Sequence, residues 1–335
     1  MNNFKKIGLT ALAASLVSTS VFAGEMTVSG GASINFENYS GTKTDSTKSF
    51  SMGNQLTFSG SGELDNGMNV SLSFVLDQND DKAADDQATV GNYNSGSPFD
   101  SHSVSISSDA IGTLKFHGEG GDSAQNAVGD TAAGNIWDNF DGQGGTKLRE
   151  SRAGDNIIHY TLPSLVDDLT VAVSYTPAGA TESADSAFAL TYAGVDGLSV
   201  SYGKGSNDGQ AAGSGGTTTD TDTTSLKASY AIGSFTVAYS DHSSDSNTAT
   251  SDQDATSYKV SYTVSDAVSV SYATEELDSN GAAELTDAEY SKIVGSYTSG
   301  GMTISANYQE AENTNYTTAA TEDMEYIGLS LSFAF

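Results

Sequence analysis

The chain has 335 residues, with 13 Lys+Arg against 43 Asp+Glu for a formal charge of −30, and with 36 Gly, 3 Pro and no Cys. The absence of cysteine rules out a disulfide framework or a Cys-based zinc site. So acidic a chain is also no partner for nucleic acid, where Lys/Arg must neutralise phosphates. Charged residues at 17% are too few for a Glu/Lys-rich coiled coil, and the polar average excludes a bundle of membrane helices, each needing about 20 mostly apolar residues.

Residues 1–23 read as a secretory signal. Lys5 and Lys6 form the positive start, residues 7–17 a short apolar run, and Val21-Phe22-Ala23 the cleavage site. Its removal leaves 11 Lys+Arg against 43 Asp+Glu, a charge of −32. The remainder, 24–335, reads as one domain.

From there the sequence alternates apolar and small polar residues, the period of a strand with two unlike faces. Met26, Val28, Ala32, Ile34 and Phe36 share one face; Thr27, Ser29, Ser33, Asn35 and Glu37 share the other. The same pattern predicts strands near 26–38, 50–63, 68–77, 102–108, 113–118, 156–162, 169–175 and 186–193. It continues near 198–203, 225–230, 235–240, 257–263, 268–273, 291–297, 302–308 and 326–335. No stretch shows a helical apolar period.

About sixteen strands, an even number, suit an antiparallel transmembrane β-barrel whose hydroxyl-rich faces enclose water. A soluble sandwich would show the same alternation with its apolar faces turned inward. The connections discriminate between the two. Short turns at 65–67, 109–112, 194–197, 231–234, 265–267 and 299–301 alternate with long linkers near 39–49, 78–101, 119–155, 176–185, 204–224, 241–256, 274–290 and 309–325. Tight turns at one rim and long acidic loops at the other are the layout of an outer-membrane barrel. Tyr175, Tyr202, Tyr239, Tyr272 and Tyr308 end strands running one way, and Tyr160, Tyr192, Tyr230, Tyr262 and Tyr297 end those running back. Two aromatic girdles at the membrane interfaces would look like this.

The chain resembles the general diffusion porins of Gram-negative bacteria, nearest to the alphaproteobacterial type. The carriers are Gly24-Glu25-Met26-Thr27-Val28-Ser29-Gly30, Ile111-Gly112-Thr113-Leu114-Lys115-Phe116, Asp155-Asn156-Ile157-Ile158-His159-Tyr160 with Pro163-Ser164, and the terminal Leu331-Ser332-Phe333-Ala334-Phe335. The resemblance implies residence in the outer membrane and a homotrimer of sixteen-stranded barrels passing small hydrophilic solutes. It further implies that the barrel-assembly machinery reads Phe335, and that the third long loop folds into the lumen and sets its narrowest point. The Pro-Glu-Phe-Gly-Gly run of enteric porins is absent from that loop, so solute preference does not carry over.

On that loop the candidate constriction residues are Glu119, Asp122, Asp130, Asp138, Asp141 and Glu150, with Lys147, Arg149 and Arg152 near its end. Parity turns Lys115, His117, His159, Lys227, Lys259 and Lys292 inward from the wall. Carboxylates facing cations would set a transverse field that admits dipolar solutes and disfavours apolar ones. The net charge predicts cation preference unless wall lysines reverse the sign at the narrow point. No cofactor is required; clustered carboxylates make the acidic loops candidate Ca2+ sites, although Asp138-Asn139-Phe140-Asp141-Gly142 lacks the EF-hand interval. Between Tyr39 and Tyr160 the only tyrosine is Tyr93, in a linker. A wall covered by a neighbouring subunit needs no headgroup-tuned residues, so the second to fifth strands, with Val104, Ile106, Leu114 and Phe116, are the expected subunit interface. Four histidines with no metalloprotease spacing and glycine runs without P-loop order give no basis for catalysis. The alternatives are a substrate-selective channel of the same architecture and a secreted β-rich adhesin.

Overall fold

A computed structural model describes residues 26–41, 48–77, 99–141, 148–179, 183–208, 220–247, 252–279, 286–316 and 323–335. The expected signal segment and most of the 78–101 linker lie outside these residues. The period-two segments form the strands β1 (Met26–Gly41), β2 (Lys48–Glu63), β3 (Asn69–Asp77), β4 (Ser101–Ser108) and β5 (Gly112–Glu119). Two short pieces follow, β6 (Gly121–Asp122) and β7 (Ala153–Gly154). Then come β8 (Ile157–Thr161), β9 (Leu169–Thr176), β10 (Asp185–Val195), β11 (Leu198–Asn207), β12 (Thr221–Ile232) and β13 (Phe235–Ser246). The series ends with β14 (Gln253–Ser265), β15 (Val268–Ser279), β16 (Ala288–Ser299), β17 (Met302–Glu312) and β18 (Met324–Ala334). Apart from the β6–β7 ladder, all are antiparallel neighbours in one closed barrel of sixteen strands.

Closure joins the first strand to the last. β1 pairs with β18 from Gly31↔Ala334 to Gly41↔Met324, and Gly30 and Phe335 exchange two backbone hydrogen bonds of 2.7 and 2.9 Å. No sheet edge is left, as a strand structure in hydrocarbon requires. The turn at Gly112 shows why glycine sits there. Its φ is +75°, and a Cβ would fall 2.2 Å from the Thr161 carbonyl oxygen, so both strain and space exclude a side chain.

The alternation resolves as the barrel requires. Apolar residues point outward: Val28 is 56% exposed, Ile293 54% and Leu329 49%, values that a sandwich core would not permit. Inside, hydroxyls pair across strands, as in Ser71 Oγ to Ser105 Oγ at 2.6 Å and Ser269 Oγ to Ser296 Oγ at 2.7 Å.

The strands nevertheless exceed their expected lengths at the long-loop rim. β11 runs to Asn207, β13 to Ser246, β15 to Ser279 and β17 to Glu312. Beyond the tyrosines the outward positions become acidic: Asp241, Asp254, Glu276, Glu289, Glu310, Glu312 and Glu325 are all exposed. Register sets several of them directly opposite one another, as Asp254↔Asp278, Glu276↔Glu289, Glu289↔Glu312 and Glu310↔Glu325. This acidic collar stands on the tall wall of β11–β18. On the other side the wall is lower, with 9 residues in β3, 8 each in β4 and β5, and 5 in β8.

Candidate functional site

The segment between β5 and β8 enters the barrel. Its two ends are tied by the β6–β7 ladder, in which Gly121 pairs with Gly154 and Asp122 with Ala153. Ser123 Oγ meets Ser151 Oγ at 2.5 Å just beyond that stem. The loop then makes a 3-10 turn at Asn126–Val128 and one helical turn at Asp138–Asp141.

Hydrogen bonds to the wall reach β9, β11–β15 and β17. The Ala124 N–H donates to Ser174 Oγ (2.8 Å), Ala132 N–H to Ser240 Oγ (2.8 Å), and Ala133 N–H to Ser257 Oγ (3.2 Å). The Gln125 amide donates to Ser225 Oγ while its oxygen accepts from Thr223 and from the Ser151 N–H. Asn139 donates to Gln309, and the Arg149 N–H to Gln253, each at 2.9 Å. Serine, threonine and amide side chains on the inner faces thus serve as partners for loop backbone that would otherwise lose water unrewarded.

The strongest tie is Glu275 on β15, 2% exposed. One carboxylate oxygen accepts from Thr131 Oγ1 at 2.5 Å and the other from the Trp137 N–H at 3.1 Å. Around this pair lies an apolar seat. Ile136, Trp137, Phe140 and Leu148 of the loop pack with Ala255, Ala273, Leu277, Ala288, Tyr290, Ala311, Met324 and Tyr326 of the wall. A barrel lumen that reads as wet from its hydroxyls therefore holds a small dry core on one side. The lumen-facing apolar residues of β14–β18, and the run Ile136-Trp137 in a polar linker, are the sequence signals for it. Glu275 carries no signal beyond its parity.

The expected constriction residues separate into groups. Asp122, Asp130 and Asp138 are exposed along the loop; Asn126 donates to Asp122 at 2.9 Å and Asn135 to Asp130 at 3.0 Å. Glu150 is half-buried near all three, and burial together with Asp130, Asp122 and Asp138 pushes its carboxyl up to about 7. Glu119 stands apart, where a register shift sets it opposite His102, with Nδ1 to Oε2 at 3.6 Å. Lys115 and His159 are directly paired on the inner faces of β5 and β8, and His117 lies 6.5 Å from His159 ring to ring. Arg149 is exposed and Arg152 half-buried on the returning limb. The Asp141 side chain and Lys147 lie outside the described residues.

Lys227, Lys259 and Lys292 are half-exposed on the same arc of wall that seats the loop. The inner faces of β1–β4 offer Ser33, Asn35, Ser51, Gln55, Ser71 and Ser103 rather than cations. The cations of the wall thus cluster beside the loop and at β5 and β8, and do not line the wall of β1–β4. Val104, Ile106, Leu114 and Phe116 face outward, each 36–44% exposed. Among the described residues no group of three His, Asp or Glu side chains could hold a metal ion.

A lumen of this form invites comparison with known proteins. The family model described as Gram-negative porin matches residues 8–335. Among solved structures, an anion-selective porin from Comamonas acidovorans is similar at 17% identity and a TM-score of 0.69, covering 93% of this chain and 100% of that one. Salmonella typhi OmpF, solved with daunomycin, is similar at 14% identity and 0.68, covering 93% and 98%. A mutant of the Rh. blastica porin is similar at 13% identity and 0.64, covering 93% and 100%. No curated protein matches this sequence. The chain belongs to the Gram-negative porin family, a family of channels rather than enzymes, and its place is the outer membrane.

Proposed function

We propose that the barrel lets small hydrophilic solutes and ions diffuse passively past the in-folded loop, that it works as a homotrimer, and that it prefers cations at low salt. The observation that carries the reading is the one-sided seating of the loop: it is fixed to β9–β18, while the Ser- and Asn-lined inner faces of β1–β4 stay half-exposed. Water and dipolar solutes find hydrogen-bond partners along that wall, and nothing in its chemistry selects one solute.

Cation preference is supported by the outer collar and the exposed loop carboxylates, which raise local cation concentration over one Debye length, about 30 Å at 0.01 M salt and about 3 Å at 1 M. The fold alone carries no sign, since the similar Comamonas porin is named anion-selective. The trimer reading is supported by β2–β5, which carry no tyrosine. Phe58 stacks on Phe74 at 5.2 Å and Phe74 meets Phe99 at 5.0 Å, continuing outward-facing Val104 and Phe116. The terminal Phe335 would be the residue that the assembly machinery reads. The reading needs no cofactor, and Ca2+ at the outer acidic segments would act on the rim.

Planar-bilayer recording tests it. Conductance should be ohmic, scale with bulk conductivity, and show no saturable block by a panel of neutral sugars. Reversal potentials should favour cations at about 0.01–0.03 M salt and approach zero near 1 M. Saturable block by one sugar would mark a selective channel, and anion preference at low salt would refute the sign.

A further inference from the structure

Three lysines occupy one level of the lumen, just on the short-turn side of the loop. On β12 the loop touches Ser225, and Lys227 is the next inward residue; on β14 it touches Ser257, and Lys259 is next; on β16 Phe140 packs on Tyr290, and Lys292 is next. Every second strand thus contributes an ammonium group. Register links them closely: Lys259 pairs with Ala273, which pairs with Lys292. Neighbouring strands lie about 4.8 Å apart, so the two Cα atoms are about 10 Å apart with only a methyl group between. Lys227 sits opposite Ser240, two residues along β13 from the Ala238 that faces Lys259.

All three are half-exposed to the lumen, and among the described residues none has an ion-pair partner within 4 Å. The two salt bridges there are His102–Glu119 and Lys204–Asp222. Two acids act on them from the side, each turned toward the loop: Asp130, near Lys227, accepts from Asn135, and Glu275, beside Lys292, is held by Thr131 and Trp137. Three mutually repelling ammonium groups outnumber the two acids beside them, and this excess of positive charge, floored by small residues and with no ion pair closed, forms a place for an anion.

We infer that Lys227, Lys259 and Lys292 form a binding subsite inside the lumen for small oxyanions of two or more negative charges, of the phosphate or dicarboxylate class. The subsite rests on the pore reading above and refines it. The collar sets the long-range preference among monovalent ions, and the lysine row holds a multivalent anion locally once it has passed, or before it meets, the loop. The four-carbon stems allow the Lys259 and Lys292 ammonium groups to lean together over Ala273, with Lys227 completing a third side.

The test uses the full-length protein in planar bilayers at 0.1 M KCl, pH 8, with inorganic phosphate added in millimolar steps. Phosphate should depress the KCl current saturably. In the Lys259→Gln/Lys292→Gln double variant the half-blocking concentration should rise at least about tenfold, the loss expected for removing charge-assisted contacts. Lys259→Arg should block within about threefold of the parent. Lys204→Gln, on the outer face beside Asp222, should leave the block unchanged. A wild-type current indifferent to phosphate overturns the subsite without any variant, and so does equal block in the double variant. Absence of any KCl conductance would instead overturn the pore reading.

Discussion

Replacing Glu275 with alanine removes two charge-assisted hydrogen bonds from the loop, those to Thr131 and to the Trp137 N–H. At about 1.5–3 kcal/mol each, the docked state loses about 3–6 kcal/mol. The apolar seat remains, and burying Ile136, Trp137, Phe140 and Leu148 contributes about 1.5–3 kcal/mol per side chain. The hydrophobic term is the larger, so the loop stays in the lumen on average while its opened fraction rises about 10²-fold or more. The chain's one tryptophan is Trp137, 7% exposed in that seat, so its emission reports docking without a label. Glu275→Ala should raise acrylamide quenching of Trp137 and speed amide exchange across residues 131–141 about hundredfold. Glu275→Gln, which keeps an acceptor for the Trp137 N–H, should fall between the two. If quenching and exchange in Glu275→Ala match the parent, Glu275 does not hold the loop.

Glu150 gives a pH signature. Its carboxyl is raised from 4.5 to about 7 by burial and by Asp130, Asp122 and Asp138, so the lumen gains a negative charge as pH climbs through 7. Low-salt reversal potentials should move toward cations between pH 6 and 8, and Glu150→Gln should flatten that shift. By the same linkage this group's contribution to stability is full below 4.5 and declines as pH rises to 7. Val104 and Phe116 are directly paired on the outward face; Val104→Asp with Phe116→Asp should yield monomers in detergent that retain the heat-modifiable mobility of a folded barrel, and an intact trimer would refute the interface. Glu289 faces Glu276 on one side and Glu312 on the other, so Glu289→Lys should turn two repulsions into attractions. At about 0.2–1 kcal/mol per pair, it should raise the melting temperature by a degree or more at low salt and less at high salt.

How far the sequence foretold this molecule depended on what kept the period of two visible. Within the apolar band every strand was legible, because Val171, Val173 and Tyr175 must alternate with Ala172 and Ser174 to face lipid and lumen. Beyond the tyrosines the outward positions turn to Asp and Glu, and β13 or β17 then looks like an acidic linker although its ladder continues. Adjacent Glu275 and Glu276 show the same limit at a single step. One is buried and holds the loop; the other is exposed on the collar, and composition treats them alike. The seat of the loop was the least legible part, since it joins Trp137 to Leu277 and Met324, contacts that local pattern does not encode. Parity gave the inward lysines, but not that those of β12, β14 and β16 lie beside the loop while the inner face of β1–β4 is mainly hydroxyl and amide.

The seam between Gly30 and Phe335 bears on how such a molecule comes into being. Its pair of backbone hydrogen bonds joins the first barrel strand to the sixteenth, so the ring cannot shut until the strand running into Phe335 has been delivered. Until then both terminal strands are raw borders, able to zip onto any other extended polypeptide they meet. Removing Phe335 would take away its half of the clasp, and the cost would appear in aggregation during delivery more than in the thermal stability of the molecules that succeed.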